Sequence, residues 1–260
     1  MNNFRIEKFV GVGLLLIVWE IVARYKLLFF LGIIKMEGLA FPPTIPSVVE
    51  AFYQDVLDGT MTLSISYSIM HLLIGLIGAV LLGIPLGILT GWSKRAEYII
   101  DPIIQVMRPI PPLAWIPIAI MIFGLTHQAA GFIIFIGAFF PVMVNTYSGV
   151  RGTDRKLVEM AKTLGANEMN LLTKVVLPYS MPMITSGVRI SLGVGWMCVV
   201  AAEMFGVSKY GLGWKIPYYS NIFMYDHVFS YMLVLGLIGY GMDIIFKRFE
   251  SWKLRWRETI

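Results

Sequence analysis

The sequence predicts an all-α, polytopic membrane protein with about six transmembrane helices, and three observations carry that prediction. Hydrophobic residues make up 57% of the 260 and charged residues only 14%, too little polar material to coat a water-soluble domain of this size. The mean hydropathy of +0.74 points the same way. Apolar runs approaching the ~20 residues that a bilayer core demands recur along the chain, separated by short charged stretches rather than by folded domains. Sixteen methionines and 25 glycines suit helices that pack closely in lipid. Cys198 is the only cysteine, which excludes an intrachain disulfide and a cysteine-based metal site.

The elements follow in order. Arg5 and Lys8 precede an apolar run from Phe9 to Phe30 that lacks a convincing small-residue cleavage site, so a retained first helix is expected. Glu20 and Arg24 lie one turn apart on its surface and can neutralise each other. A polar stretch from Phe41 to Pro46 leads to Ser47, the expected N-cap of an amphipathic helix through Leu57 that lies along the membrane face. Residues 1–59 thus form a first helix with an external amphipathic segment, and residues 60–260 form the core.

The second span, Ile69 to Gly91, carries no charge and sets Gly83, Gly87 and Gly91 on one stripe, a surface for close helix approach. The third, Leu113 to Leu125, follows Pro109, Pro111 and Pro112 and contains Pro117, so a broken or tilted helix is expected. Spans four (Ala129 to Val150), five (Met183 to Phe205) and six (Val228 to Phe246) complete the set. Their only charges are Arg189, Glu203 and Asp243, each a functional candidate because an ionised group is costly in lipid. Arg189 and Glu203 stand ~21 Å apart along one helix at 1.5 Å per residue and cannot pair directly. Lys247, four residues beyond Asp243, accounts for that carboxylate as a helix-end pair.

Basic residues set the orientation. With the N-terminus inside, inner segments hold 15 Lys and Arg and outer segments only five, namely Arg24, Lys26, Lys35, Lys209 and Lys215. Both termini are therefore expected in the cytoplasm. The net charge of +5 reflects this asymmetry, and the tail from Lys247 to Arg257, with Trp252 and Trp256, reads as an interfacial anchor. Nucleic-acid binding is not expected.

The most informative stretch is the inner loop 151–182. Leu157, Met160, Ala161 and Leu164 form one apolar face of a short helix beginning near Thr153 or Asp154 and ending at Gly165. A second helix starts near Asn167, repeats the pattern with Met169, Leu172, Val175 and Val176, and is expected to stop before Pro178. By pattern alone such a helix pair fits equally a rigid contact with a cytoplasmic partner or a segment lying on lipid headgroups.

The residue identities add a resemblance. Glu159-Met160-Ala161, then Gly165, then Leu177-Pro178 resembles the EAA loop of bacterial and archaeal ABC importer permeases. The likeness extends through FPPTIPSVVEAF (41–52), LLGIPLGILTGWS (81–93), DPIIQVMRPIPPLAWIPIAIMIFG (101–124) and RISLGVGWMCVVAAE (189–203) to permeases for nitrate, aliphatic sulfonates, taurine and bicarbonate, most of all the taurine type. The sequence departs from the pattern at Met160, where alanine is usual, at His71, where arginine is common, and at His127, where an acid is common.

The resemblance implies a type I ABC importer transmembrane fold in the cytoplasmic (inner) membrane. It implies two permease copies, expected as a homodimer, each seating a cytoplasmic ABC ATPase subunit, with cargo delivered by an external substrate-binding protein. Contact with the ATPase falls to Leu157, Glu159, Met160, Ala161, Leu164, Gly165, Leu177 and Pro178. For an anionic cargo, Arg108, Trp115, Arg189, Trp196 and Glu203 are the candidates for the translocation path. No phosphate loop of the G-x-x-x-x-G-K-[ST] type occurs, so ATP and Mg are expected on the partner chain, with no cofactor in this one. His71, His127 and His227 have no metal-ligand spacing, and no metal is expected. A secondary active transporter is the competing reading, and an intramembrane enzyme a weaker one, since no nucleophile–base set converges within the spans.

Overall fold

The computed structural model describes residues 3–26 and 42–253, and among these every regular element is a helix. Helix α1 covers Asn3–Arg24, α2 Ile45–Leu57, α3 Thr60–Trp92 and α4 Lys94–Met107. A 3-10 turn, Pro112–Trp115, leads into α5, Ile116–Phe123, and α6 covers His127–Arg151. The loop region holds α7, Arg155–Thr163, and α8, Glu168–Leu171, followed by α9, Leu177–Met204. Helices α10, Leu212–Asn221, and α11, Tyr225–Lys253, close the chain.

Four stretches of helix are long and apolar enough to cross a membrane: α3, α6, Glu168–Met204 and α11. The pair α4 and Pro112–Phe123 is bent by 89° and makes a fifth if taken as one broken span. That break sits where the prolines predicted it, because Pro109, Pro111 and Pro112 cannot supply the amide hydrogens a continuous helix needs. Helix α1 has 22 residues, with Glu20 and Arg24 toward its end and an apolar surface (Leu14, Leu15, Ile17, Val18) left open. The expected continuation of this span to Phe30 lies outside the described residues.

The bundle is organised around α6, with α3 parallel on one side and α9 antiparallel on another. The glycine stripe makes the first contact. A Cβ on Gly83 would come within 3.0 Å of Val142, one on Gly87 within 2.6 Å of the Met143 carbonyl and Thr146, and one on Gly91 within 2.7 Å of Val150. Gly75 extends the same stripe toward the other end, against Ile134 and Gly131. The core between the three helices holds Leu72, Ile133, Ile134, Val199 and Ala202, all almost wholly buried, and Tyr231 of α11 is buried in the same apolar cluster.

Two boundaries differ from expectation. Thr44, not Ser47, caps α2: its hydroxyl accepts the Ser47 amide, and Ile45 and Pro46 occupy the first turn, where a missing proline amide costs nothing. Glu20 adds to the start of α2, since one carboxylate oxygen takes the Ile45 amide at 2.9 Å while the other pairs with Arg24 at 2.8 Å. The second loop helix does not stop before Pro178. It runs through a π-helical segment, Leu172–Val176, into α9, and the wider turn lets the Leu177 amide reach the Leu172 carbonyl. Pro178 then sits in the first turn of α9, where its ring is tolerated.

Candidate functional site

At one end of the bundle, α7 is built as a short rigid projection. The Asp154 carboxylate accepts the Lys156 amide at 2.9 Å and caps its start. Its end is closed by paired backbone bonds, Ala166 N–H to the Ala161 carbonyl at 3.0 Å and Gly165 N–H to the Lys162 carbonyl at 2.9 Å. Gly165 has φ +81° and a Cβ there would meet nothing within 4 Å, so the requirement for glycine is one of backbone conformation rather than space. Asn167 restarts the helix by accepting the Asn170 amide at 2.8 Å.

The predicted apolar face is present and stands open among the described residues. Leu164 is 87% exposed, Met169 68% and Met160 62%, and Leu157 is also open. Glu159 is exposed, and among the described residues its carboxylate has no ion-pair partner. Leu177 and Pro178 stand at the base of α9, on the other side of the turn. Apolar side chains on a helix held this stiffly would be stabilised by a second surface.

The five path candidates do not converge. Arg108, the C-cap of α4, lines a cavity of about 640 Å³ together with Glu97, Asp101 and Tyr147. Trp115 lies edge-on to Phe132, and its buried indole N–H has no acceptor among the described residues. Arg189 donates to Asp243 at 2.9 Å, and Lys247 reaches the other Asp243 oxygen at 2.7 Å. The sequence accounted for the lysine partner but not for the arginine, which arrives from another helix. Trp196 is nearly enclosed, donating to the Leu235 carbonyl at 3.1 Å, and its ring walls a small cavity of about 220 Å³ beside Arg189.

Glu203 is wholly enclosed within the subunit. Its carboxylate accepts from the Ser68 hydroxyl at 2.9 Å, the Gly213 amide at 2.8 Å and His71 Nδ1 at 2.8 Å. Enough donors surround it to offset the cost of its burial. His71 Nε2 in turn meets His127 Nδ1 at 2.8 Å, and Tyr67 stacks on His127 while also stacking on Tyr210. A second buried set at the same end joins α2, α10 and α11: Asp55 meets His227 Nδ1 at 2.8 Å and receives the Tyr219 hydroxyl at 3.1 Å. Burial, then the Asp55 charge, pushes the Tyr219 phenol up. Both histidine networks escaped sequence reasoning because their carboxylate partners lie 132 and 172 residues away.

A fold with a stiff exposed loop at one end and buried polar clamps at the other has close relatives. Residues 83–255 match the family described as binding-protein-dependent transport system inner membrane component. A Methanocaldococcus jannaschii protein named as an ABC transporter permease is 38% identical over 95% of this chain and 91% of its own length. A Bacillus subtilis protein named for aliphatic sulfonate transport is 34% identical over 92% of this chain and 85% of its own. The taurine transport system permease of Escherichia coli is 32% identical over 93% and 87%. In three dimensions the chain is similar to one from an inward-facing methionine ABC transporter, with TM-score 0.65 and 19% identity, covering 76% of this chain and 97% of that one. The chain therefore belongs to the inner membrane components of binding-protein-dependent transport systems, with the transmembrane fold of ABC importers.

Proposed function

We propose that this chain is the membrane-embedded subunit of an importer whose energy comes from a separate ABC ATPase seated on α7, and that its cargo is a small anion of the sulfonate, taurine, nitrate or bicarbonate class. The observation that carries the reading is the exposed apolar face of α7, fixed at a set angle by capping at Asp154 and by the Gly165 turn. A helix loosely laid on headgroups has no need of such rigid closure at both ends, whereas a joint that transmits movement from one protein to another does. Leu157, Met160 and Leu164 supply contact area, Ala161 allows close approach, and Glu159 offers a carboxylate to the partner.

ATP and its magnesium ion belong on that partner, since this chain has no phosphate loop. The excess of Lys and Arg beside the loop supports a cytoplasmic side for α7 and both termini. The opposite end then faces an external binding protein that delivers cargo. Two copies of this chain would complete a path, because the five candidate residues do not form one within a single subunit.

Affinity purification of this chain from a host expressing its neighbouring genes, solubilised in mild detergent, tests the reading. The expected result is retention of an ATPase by the unaltered chain and its loss on Leu164→Asp. Transport by the purified chain alone, without nucleotide, would instead establish a secondary transporter.

A further inference from the structure

At the end of the bundle opposite α7 lies a cavity of about 550 Å³, between the start of α3 and the segment that joins α9 to α10. Its walls include Tyr67, Tyr210 and Trp214, and Lys209 and Lys215 stand at its margin. Neither lysine has a carboxylate within 4 Å among the described residues. Lys215 instead lies over the rings of Trp214, Tyr218 and Tyr219 at 5.6–5.8 Å, which holds its ammonium group in place without neutralising it. Asp58 also lines the cavity, and bonding from Thr60 holds its carboxyl below the usual range, so that the three side chains leave one positive charge in excess.

The segment carrying both lysines is anchored from beneath. Glu203 takes the Gly213 amide at 2.8 Å, and the Ser68 hydroxyl takes the Leu212 amide at 2.9 Å. Gly211, at φ +122°, lies so close above the Glu203 carboxylate that any Cβ would collide with it. Tyr67 and Tyr210 are stacked at 4.7 Å, and Tyr67 is braced by His127. The cavity is thus preformed, with aromatic walls fixed from two helices. Orientation by basic residues makes lysine scarce at this face, which sharpens the question of what these two do.

We infer that this cavity is the admission site for cargo and that it selects a short-chain organic sulfonate, whose oxyanion meets Lys209 and Lys215 while its carbon chain lies against Tyr67, Tyr210 and Trp214. The inference rests on the importer reading above and narrows its cargo class. Nitrate and bicarbonate satisfy the lysines but have no apolar part to place on the rings. An organic sulfonate uses both halves of the site, a combination typical of ligand pockets.

The test is binding of ethanesulfonate and of nitrate to the full-length protein in lipid nanodiscs, measured by calorimetry on the unaltered chain and on Lys209→Gln/Lys215→Gln. Saturable ethanesulfonate binding that weakens roughly tenfold or more in the double variant, as expected for loss of charge-assisted hydrogen bonds, supports the site. So does weaker binding of nitrate than of ethanesulfonate by the unaltered chain. Equal ethanesulfonate binding by the two proteins overturns it, as does a preference for nitrate or no saturable binding at millimolar concentration. Retention of the ATPase by the double variant is scored in parallel: its loss from the unaltered chain removes the importer reading, whereas anion binding alone decides the site.

Discussion

His71 Nε2 and His127 Nδ1 lie 2.8 Å apart, which joins the interior of α3 to the first residue of α6. The two imidazoles meet as a hydrogen bond. With His71 Nδ1–H committed to the Glu203 carboxylate, a neutral His71 accepts the His127 Nδ1–H. The chain Glu203–His71–His127 then ties α9, α3 and the start of α6 together beneath the lysine-bearing segment.

Replacing Glu203 should expose how much depends on that tie. Glu203→Gln places an amide NH₂ among donors that all seek an acceptor, and a loss of about 3 kcal/mol is expected, at the low end for breaking a buried charged pair. Cys198 is the only cysteine and is buried, so the onset of thiol-dye labelling on heating reports unfolding of the bundle directly. An unchanged onset would mean that the carboxylate charge is not needed.

His127→Phe retains a ring to stack on Tyr67 but leaves His71 Nε2 without its partner. The expected cost is about 1–2 kcal/mol, that of one unsatisfied buried polar group. Because the ring that stacks on Tyr67 is kept, ethanesulfonate binding should be unchanged in the same variant, read by the same calorimetry.

Helix approach at the glycine stripe gives a contrast within one assay. Gly87→Val drives a side chain into the Met143 backbone and Thr146, and an overpacking loss of about 1–3 kcal/mol or more is expected. Gly236→Ala on α11 meets open space and should lie within about 0.5–1 kcal/mol of the unaltered protein, on the stable side, because a helix interior favours alanine. Equal labelling temperatures for the two would remove the stripe from the packing.

Gly165 separates the turn from the surface. Gly165→Leu adds a side chain to open space but forces an L-residue to φ +81°, at a cost of about 1–2 kcal/mol confined to the loop. The protein should remain inserted and unfold at its usual temperature, while ATP hydrolysis in the assembled complex no longer drives uptake. Normal uptake in proteoliposomes would show that the angle between α7 and α8 does not matter.

The sequence by itself determined the solvent, the material of the fold and the shape of the projecting loop, because each is written in local periodicity. Apolar runs marked α3, α6, α9 and α11; the prolines around Pro111 marked the broken fifth; and Asp154, Gly165 and Asn167 marked the ends of α7 and the start of α8 within a residue or two. It also named the glycine face of α3, although not the helix that meets it. Pro178 misled, since a proline ends a helix only when no wider turn precedes it, and the π-helical segment supplies one.

What only the tertiary structure decided is where the charges went. Glu203, Arg189, His71, Asp55 and His227 all carry polar groups that lipid would penalise, and each is satisfied by a side chain from a distant part of the chain. Nothing in local spacing encodes those partners, because the bundle brings them together by folding antiparallel and parallel helices onto α6. Glu203 is thus held by Ser68, His71 and the Gly213 amide as an anchor beneath the segment that carries Lys209 and Lys215.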